Sequence, residues 1–203
     1  MPDSNQENAV LMIIAGPAGS GKSTLCDRLI QEFSSIERMV TCTTRPPREG
    51  EIDGQHYFFL SDEEFDRRIE NDAFLEWARV HTNRYGTPKD LILEKLNQNI
   101  DLVMNIDVQG VATVKEASLK EPIIAERLTT VFIMPPSLDE LVERLRGRGQ
   151  DDEAEIARRI ESAKQEVKAK DQFDYVIETR TKDEDFEEIC RIWQRAKGLL
   201  GKI

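Results

Sequence analysis

Cysteine and histidine are scarce in this 203-residue chain, at three and two residues. Cys26, Cys42 and Cys190 are odd in number, widely spaced and form no CxxC pair. That excludes a disulfide framework or zinc knuckle and suits a reducing compartment. They read as ordinary buried or half-buried thiols. His56 and His81 stand beside aromatic or apolar residues and read as structural or surface groups; no Ser-His-Asp or metal-ligand cluster is visible. Cationic surplus is missing too: 28 Lys and Arg stand against 39 Asp and Glu, a formal charge of −11. A broadly basic nucleic-acid surface is thereby excluded, although an anionic substrate could still be held where cations gather in one cleft. No stretch approaches the ~20 apolar residues of a membrane span. The polar, acidic residues 2–8 lack the basic region of a signal peptide. The expectation is a cytoplasmic protein with no membrane or nucleic-acid partner.

What is present suffices for a core. Hydrophobic residues make up 39% and charged residues 33%, which fits one globular domain, or one core with a small insert. Short aliphatic runs at 10–15, 102–106, 128–134 and 175–177 read as buried strands. Helical patterns follow at 22–33, 108–117, 138–146 and 184–200, the last carrying Phe186, Ile189, Cys190, Trp193, Ala196 and Leu200 at a 3–4 spacing. Strand then helix, repeated, predicts a parallel sheet with helices on its faces, an α/β fold.

Two stretches break that rhythm. Residues 39–97 hold turns at Gly50 and Gly54, an apolar-aromatic run at 56–60, a helical pattern at 62–70 and a further run at 74–80. They predict a small α+β insertion between the first and later core strands. Residues 144–159 are crowded with arginine and contain two glycines and the acidic turn Gln150-Asp151-Asp152, a composition that suits a mobile flap better than a packed element.

The chemistry begins at Gly16, Pro17, Ala18, Gly19, Ser20, Gly21, Lys22 and Ser23, with Thr24 after them: a complete GxxxxGK[ST] phosphate loop between a strand and a helix. Glycines allow backbone N–H groups to turn inward toward phosphate oxygens, and the following helix offers its positive end. Lys22 would supply charge to the β- and γ-phosphates, and the Ser23 hydroxyl a ligand to Mg²⁺. This identifies a triphosphate donor site and leaves the acceptor open. Arg45 and Arg48 lie in the Pro/Gly-bounded segment Thr41-Cys-Thr-Thr-Arg-Pro-Pro-Arg-Glu-Gly50, where two forks can converge on a phosphate. Tyr57 could add a donor. Glu76, Tyr85 and Thr87 provide a carboxylate and hydroxyls able to read a purine edge, and guanine presents two adjacent N–H donors to a carboxylate.

Together these residues resemble the guanylate kinase family of P-loop nucleoside monophosphate kinases. The resemblance rests on the phosphate loop, TTRPPR-x-GE-x-DG-x-x-Y at 43–57, FLEWA at 74–78, RYGT at 84–87, NIDVQG at 105–110 and PPS…RLRGRG at 135–149, over residues 10–186. It implies a P-loop core at 9–38 and 98–203, an inserted GMP-binding domain at 39–97 and an Arg-rich lid at about 144–160. It also implies transfer of the γ-phosphoryl of ATP to GMP, and to dGMP, with Mg²⁺, in purine nucleotide metabolism and GMP recycling. Small-molecule substrates are then the partners, and no protein partner is implied. By the resemblance Arg45, Arg48, Tyr57 and Tyr85 hold the GMP phosphate, and Thr41, Glu76, Thr87 and Asp107 read guanine. The lid and catalytic arginines fall on Arg144, Arg148 and Arg159, with Lys22 and Arg45 also catalytic; Arg146 has no assigned role.

Two positions depart from the family. Asn105 replaces the first carboxylate of an Asp-Ile-Asp, removing a charge beside the expected metal. Glu178-Thr179 stand where the family often places Asn beside the donor base. Two other readings stay open. Domains like this also serve as protein-interaction modules without catalysis, and a kinase of another small molecule would share the phosphate loop.

Overall fold

β1 (Leu11–Ala15) is buried at every position, because helices cover both of its faces. The computed structural model describes residues 8–80, 82–147 and 152–199. His81, Arg148, Gly149, Leu200 and the Gln150-Asp151 part of the acidic turn lie outside them. The described strands are β1, β2 (Ile36–Arg38), β3 (Cys42–Thr43), β4 (Phe58–Phe59), β5 (Phe74–Val80), β6 (Asn83–Pro88), β7 (Asp101–Asn105), β8 (Leu128–Met134) and β9 (Tyr175–Glu178). The helices are α1 (Lys22–Glu32), α2 (Asp62–Glu70), α3 (Lys89–Asn97), α4 (Val108–Ser118), α5 (Pro122–Arg127), α6 (Leu138–Gly147), α7 (Glu153–Val167) and α8 (Lys182–Ala196).

The core sheet runs β2-β7-β1-β8-β9, and every pairing in it is parallel. Val10, Met12 and Ile14 face Leu25, Cys26 and Leu29 of α1 and Ile189, Ile192 and Trp193 of α8. Leu11, Ile13 and Ala15 face Ile92 and Leu96 of α3, Val111 and Val114 of α4, and Ile124 of α5. Period-two side chains buried on both faces explain the unbroken aliphatic run. β1 leads leftward to β2, and β7 leads across β1 to β8, so the strand order reverses beside β1. A crevice opens there, at the carboxyl ends of the strands.

β2 carries Ile36-Glu37-Arg38, too short and too polar to stand out as a strand. α8 begins at Lys182, before the expected Glu184, because Thr181 and Glu184 form a reciprocal capping box. It stops at Ala196, where Gly198 (φ 77) donates to Arg195 and Leu199 donates to Gln194, a Schellman ending. The thiols sit in apolar surroundings: burial pushes Cys26 up to about 12, and Cys42 and Cys190 up to about 11.

A second sheet, β4-β3-β6-β5, is mixed: β3 pairs parallel with β4, and β6 pairs antiparallel with β3 and β5. Phe65 of α2 packs under it with Cys42 and Phe74. A Cβ at Gly86 would come within 2.9 Å of the Phe74 ring and 3.1 Å of Phe65, so the glycine of RYGT makes room for this small core. Leu75 joins the core-sheet cluster, and α4 packs along β5.

In the Arg-rich stretch, residues 144–147 and 153–159 are helical. Arg144 and Arg146 end α6, and Arg158 and Arg159 lie on α7. Leu141, Leu145, Ile156 and Ala163 form a buried cluster between the two helices, with Ala18 against it. Asp152 accepts from Glu155 N at 2.7 Å and so caps α7.

Candidate active site

The phosphate loop leaves β1 and enters α1 through three glycines with positive φ, at Gly16 (138°), Gly19 (92°) and Gly21 (100°). The protein itself explains two of them. A Cβ at Gly16 would lie 2.4 Å from the Ile133 carbonyl oxygen of β8, and one at Gly19 would lie 3.0 Å from Leu141 Cδ1. Gly21 meets nothing within 4 Å; there the left-handed backbone alone selects glycine. Gly21 also caps α1 without a side-chain acceptor, so the first N–H groups of the helix have no side chain competing for them.

Lys22 Nζ donates to the Gly16 and Pro17 carbonyls at 2.6 and 2.8 Å, which holds the ammonium over its own loop. Ser23 and Thr24 are exposed on the first turn of α1, while Ser20 is buried with its hydroxyl unpartnered. A cavity of about 620 Å³ opens from this loop and is lined by Gly19, Ser20, Thr24, Arg28, Arg144 and Arg180 among others. Arg144 thus joins the loop, although its guanidinium donates to Glu140 at 2.6 Å. Arg159 donates to Glu155 at 3.3 Å. Arg146 forms a two-pronged pair with Glu153 at 3.0 and 2.8 Å, bridging α6 and α7.

Sequence reasoning passed over Arg28 and Arg180. Arg28 stacks on Phe186 at 4.0 Å and pairs with Asp183, contacts no local pattern announces. Arg180 directly follows Glu178-Thr179, the departure already noted. Thr179 is buried with its hydroxyl unpartnered, and Glu178 is exposed.

The second sheet gathers the other predicted residues. Arg45 lies 5.5 Å from the Tyr57 ring and 5.8 Å from the Phe59 ring. The Tyr57 and Tyr85 rings meet edge to face at 6.0 Å. Glu51 holds Arg45 at 2.8 and 2.9 Å through both terminal nitrogens and accepts from Arg48 N at 2.7 Å. This pair drives the Glu51 carboxyl down to about 2 and raises the Arg45 guanidinium above its ordinary value, with a smaller contribution from Tyr85. The Arg48 side chain is exposed and Thr41 half-buried. Arg84 turns away from this group. It donates to Asp62 at 2.6 Å, pairs with Asp66 and lies over Phe65 at 4.7 Å, clamping α2 to β6.

Glu76 and Thr87 are paired across β5 and β6, and the Thr87 hydroxyl donates to Glu76 at 2.6 Å. Burial raises the Glu76 pKa; the Thr87 bond opposes this and the Asp107 charge adds to it. Asp107 caps α4 by accepting from Gly110 N at 2.7 Å, so one of its oxygens is committed to the fold. Glu166 of α7, raised by burial, also feels both Lys22 and Asp107. The Asp107 charge thus reaches both Glu76 and Glu166, and Glu166 also feels Lys22. Asn105 is exposed at the carboxyl end of β7.

A family model described as guanylate kinase matches residues 8–196. The guanylate kinase of Caldanaerobacter subterraneus subsp. tengcongensis is 41% identical, with 98% of this chain and 96% of that protein covered. That of Clostridioides difficile is also 41% identical, over 84% of this chain and 80% of its own. The crystal structure of guanylate kinase from Anaplasma phagocytophilum superimposes with a TM-score of 0.71 at 28% identity, covering 95% of this chain and 88% of that one. The chain belongs to the guanylate kinase family.

Proposed function

We propose that the protein transfers the γ-phosphoryl group of ATP to GMP, giving ADP and GDP, with dGMP as a further acceptor. The observation that carries this reading is the presence of two anion-ready groups, with the Asp107 charge felt by Glu76 on one side and, together with that of Lys22, by Glu166 on the other. The loop with Lys22 is one; Arg45 with Tyr57 and Tyr85, beside the Glu76–Thr87 pair, is the other. Residues 9–38 and 98–203 act as the donor core, 39–97 as the acceptor-binding insertion and about 144–160 as the lid.

In this reading the loop backbone and Lys22 hold the β- and γ-phosphates. Arg45, Arg48, Tyr57 and Tyr85 hold the acceptor phosphate; Thr41, Glu76, Thr87 and Asp107 read guanine. A GMP phosphate oxygen forms a bond to the γ-phosphorus as the bond to the ADP oxygen breaks. The nucleophile is already anionic at neutral pH, so alignment and charge neutralisation do the work and no general base is needed. Arg144, Arg148 and Arg159 meet the migrating charge, and lid closure keeps water from competing as acceptor.

Among the described residues no group of three or more His, Cys, Asp or Glu forms a metal cluster. A metal carried by the nucleotide's own phosphates would fit this donor set: the Ser23 hydroxyl, exposed on the first turn of α1, would be its protein ligand, and Asn105, exposed at the end of β7, would offer a neutral amide in place of a carboxylate. Mg²⁺ so held supplies charge to the phosphate oxygens. No described helix is long and apolar enough to cross a membrane, in keeping with a cytoplasmic site of action.

A panel of nucleoside monophosphates and other small acceptors, assayed with ATP and Mg²⁺ by coupled ADP detection, tests the proposal. GMP and dGMP should support turnover; ADP formation with some other acceptor and none with GMP would overturn it. Arg45→Ala removes a charge-assisted contact of roughly 1.5–3 kcal/mol, and the KM for GMP should rise about 10- to 150-fold. An unchanged KM would remove Arg45 from the acceptor site.

Glu76 adds a pH signature. Ionised, it accepts from the ring N–H and the amino group of guanine; protonated, it turns a donor toward a donor. Because its pKa is raised by burial, the KM for GMP should climb as pH is lowered from neutrality toward that raised value. Glu76→Gln should raise that KM about 10- to 100-fold and flatten its pH dependence. A pH-independent KM in the wild type would count against this role.

A further inference from the structure

The Arg45 guanidinium is committed at one end before any substrate arrives. Of its five N–H groups, one on Nη1 donates to Glu51 Oε2 at 2.9 Å, one on Nη2 donates to Glu51 Oε1 at 2.8 Å, and the other on Nη1 donates to the Pro46 carbonyl at 2.8 Å. Those three bonds close the tip of the fork. Nε–H and the second Nη2–H are not taken by Glu51 or Pro46; they lie together along the side edge of the guanidinium, a geometry that matches two oxygens of a phosphate, and the Tyr85 hydroxyl also approaches this guanidinium. Glu51 is itself fixed, since Oε2 also accepts from Arg48 N at 2.7 Å. The loop that carries both arginines is thus tied to a single carboxylate. The pair is well shielded, with side-chain exposures of 11% for Arg45 and 18% for Glu51, and the rings of Tyr57 and Phe59 limit where the guanidinium can move.

We propose that Glu51 is a positioning residue for the acceptor phosphate: it grips the tip of Arg45 and presents the side edge of the guanidinium to the phosphate of GMP. Glu51 touches neither phosphate. Its contribution is to remove the conformational freedom that a flexible three-carbon arginine stem would otherwise lose on binding. The carboxyl stays ionised throughout the usual assay range, with its pKa held down to about 2 by Arg45 and the Arg48 amide. Its grip therefore does not titrate there, and Glu51 adds no pH dependence of its own to acceptor binding.

This inference rests on the acceptor reading above, and the experiment separates the two. Steady-state kinetics with GMP varied at saturating ATP are run on wild type, Glu51→Gln, Glu51→Ala, Arg45→Ala and the Glu51→Gln/Arg45→Ala double variant, with thermal unfolding of each. Glu51→Gln should raise the KM for GMP about tenfold while kcat stays within about threefold and the KM for ATP does not move. Glu51→Ala should raise it further. In the Arg45→Ala background Glu51→Gln should add less than about twofold, because its effect travels through Arg45. If Glu51→Ala fails to fold, the near-isosteric Gln variant decides. An unchanged KM, or a factor that persists in full without Arg45, overturns the proposal. So does a lowered KM, which would make Glu51 a competitor of the phosphate. A wild type silent with GMP overturns the acceptor reading, and this proposal with it.

Discussion

Lys22→Ala should lower kcat by on the order of 10³-fold, the scale seen when a cation facing a transferring phosphoryl group is lost. Lys22 is the first residue of α1, and its ammonium is drawn back to the Gly16 and Pro17 carbonyls at 2.6 and 2.8 Å. The charge is thus already localised over the loop and needs little reorganisation when the β- and γ-phosphates arrive. The loop amides and the positive end of α1 survive the substitution, so ATP should still bind, more weakly. The main loss falls on the transition state, where charge shifts toward the ADP leaving group. The residues proposed to hold GMP do not include Lys22, so the KM for GMP should change little. Lys22→Arg should not restore the rate, because a planar fork cannot replace a compact ammonium beside two fixed carbonyls. Single-turnover kinetics at saturating ATP and GMP, with circular dichroism as a check on folding, decide the matter. A Lys22→Ala enzyme within tenfold of wild type would sink the phosphotransfer role of this lysine.

The parts of the molecule that were legible in sequence are those whose cause is local. β1 stood out because helices on both faces demand an unbroken aliphatic run, and the glycine spacing after it marked the turn. The apolar stripe of α8 was plain; its first turn was not, because the cap lies in Thr181 and Glu184 rather than in hydrophobic residues. β2 escaped because three residues with two charges do not form a pattern, and only pairing with β7 makes them a strand. In the described parts of the Arg-rich stretch, Leu145 and Ile156 join one buried cluster and Arg146 reaches Glu153, contacts that composition alone does not announce. In the candidate site, Arg45, Tyr57 and Glu76 were found through motifs. Glu51 sat inside the same motif unassigned, because a bond between residues six apart in an irregular loop has no periodicity to reveal it. Arg28 and Arg180 reach the donor cavity only through the docking of α8 beside α1, which is a tertiary fact.

Asp101 is the extreme case of such a tertiary fact, and its removal should be the most damaging single change to stability. It opens β7 and reads in sequence as an ordinary surface carboxylate, yet only 1% of it is exposed. It accepts from Val10 N at 2.8 Å, from Trp193 Nε1 at 3.0 Å, and from Lys197 Nζ at 2.9 and 3.1 Å. One side chain therefore joins the entrance of β1, the start of β7 and the end of α8. Lys197 is 7% exposed and lies 5.6 Å from the Trp193 ring centroid. Asp101→Ala would leave a buried ammonium and two N–H donors without their acceptor, at a cost of about 3–5 kcal/mol. At about 2–4 °C per kcal/mol for a chain of this size, Tm should fall by roughly 6–20 °C. Asp101→Asn keeps the size and one acceptor but loses the charge, so it should cost less than Ala. Lys197→Met should also destabilise, and the Asp101→Asn/Lys197→Met double variant should cost less than the two singles together, because the buried charges are then removed as a pair. The phosphate loop begins at Gly16, at the opposite, carboxyl end of the sheet, about six residues or ~20 Å along the strands from Val10, with which Asp101 is level. Well below Tm, the folded fraction of Asp101→Ala should therefore keep wild-type kcat and KM for GMP. A large kinetic defect at low temperature, or a Tm within about 2 °C of wild type, would show that Asp101 is not the stability anchor its contacts describe.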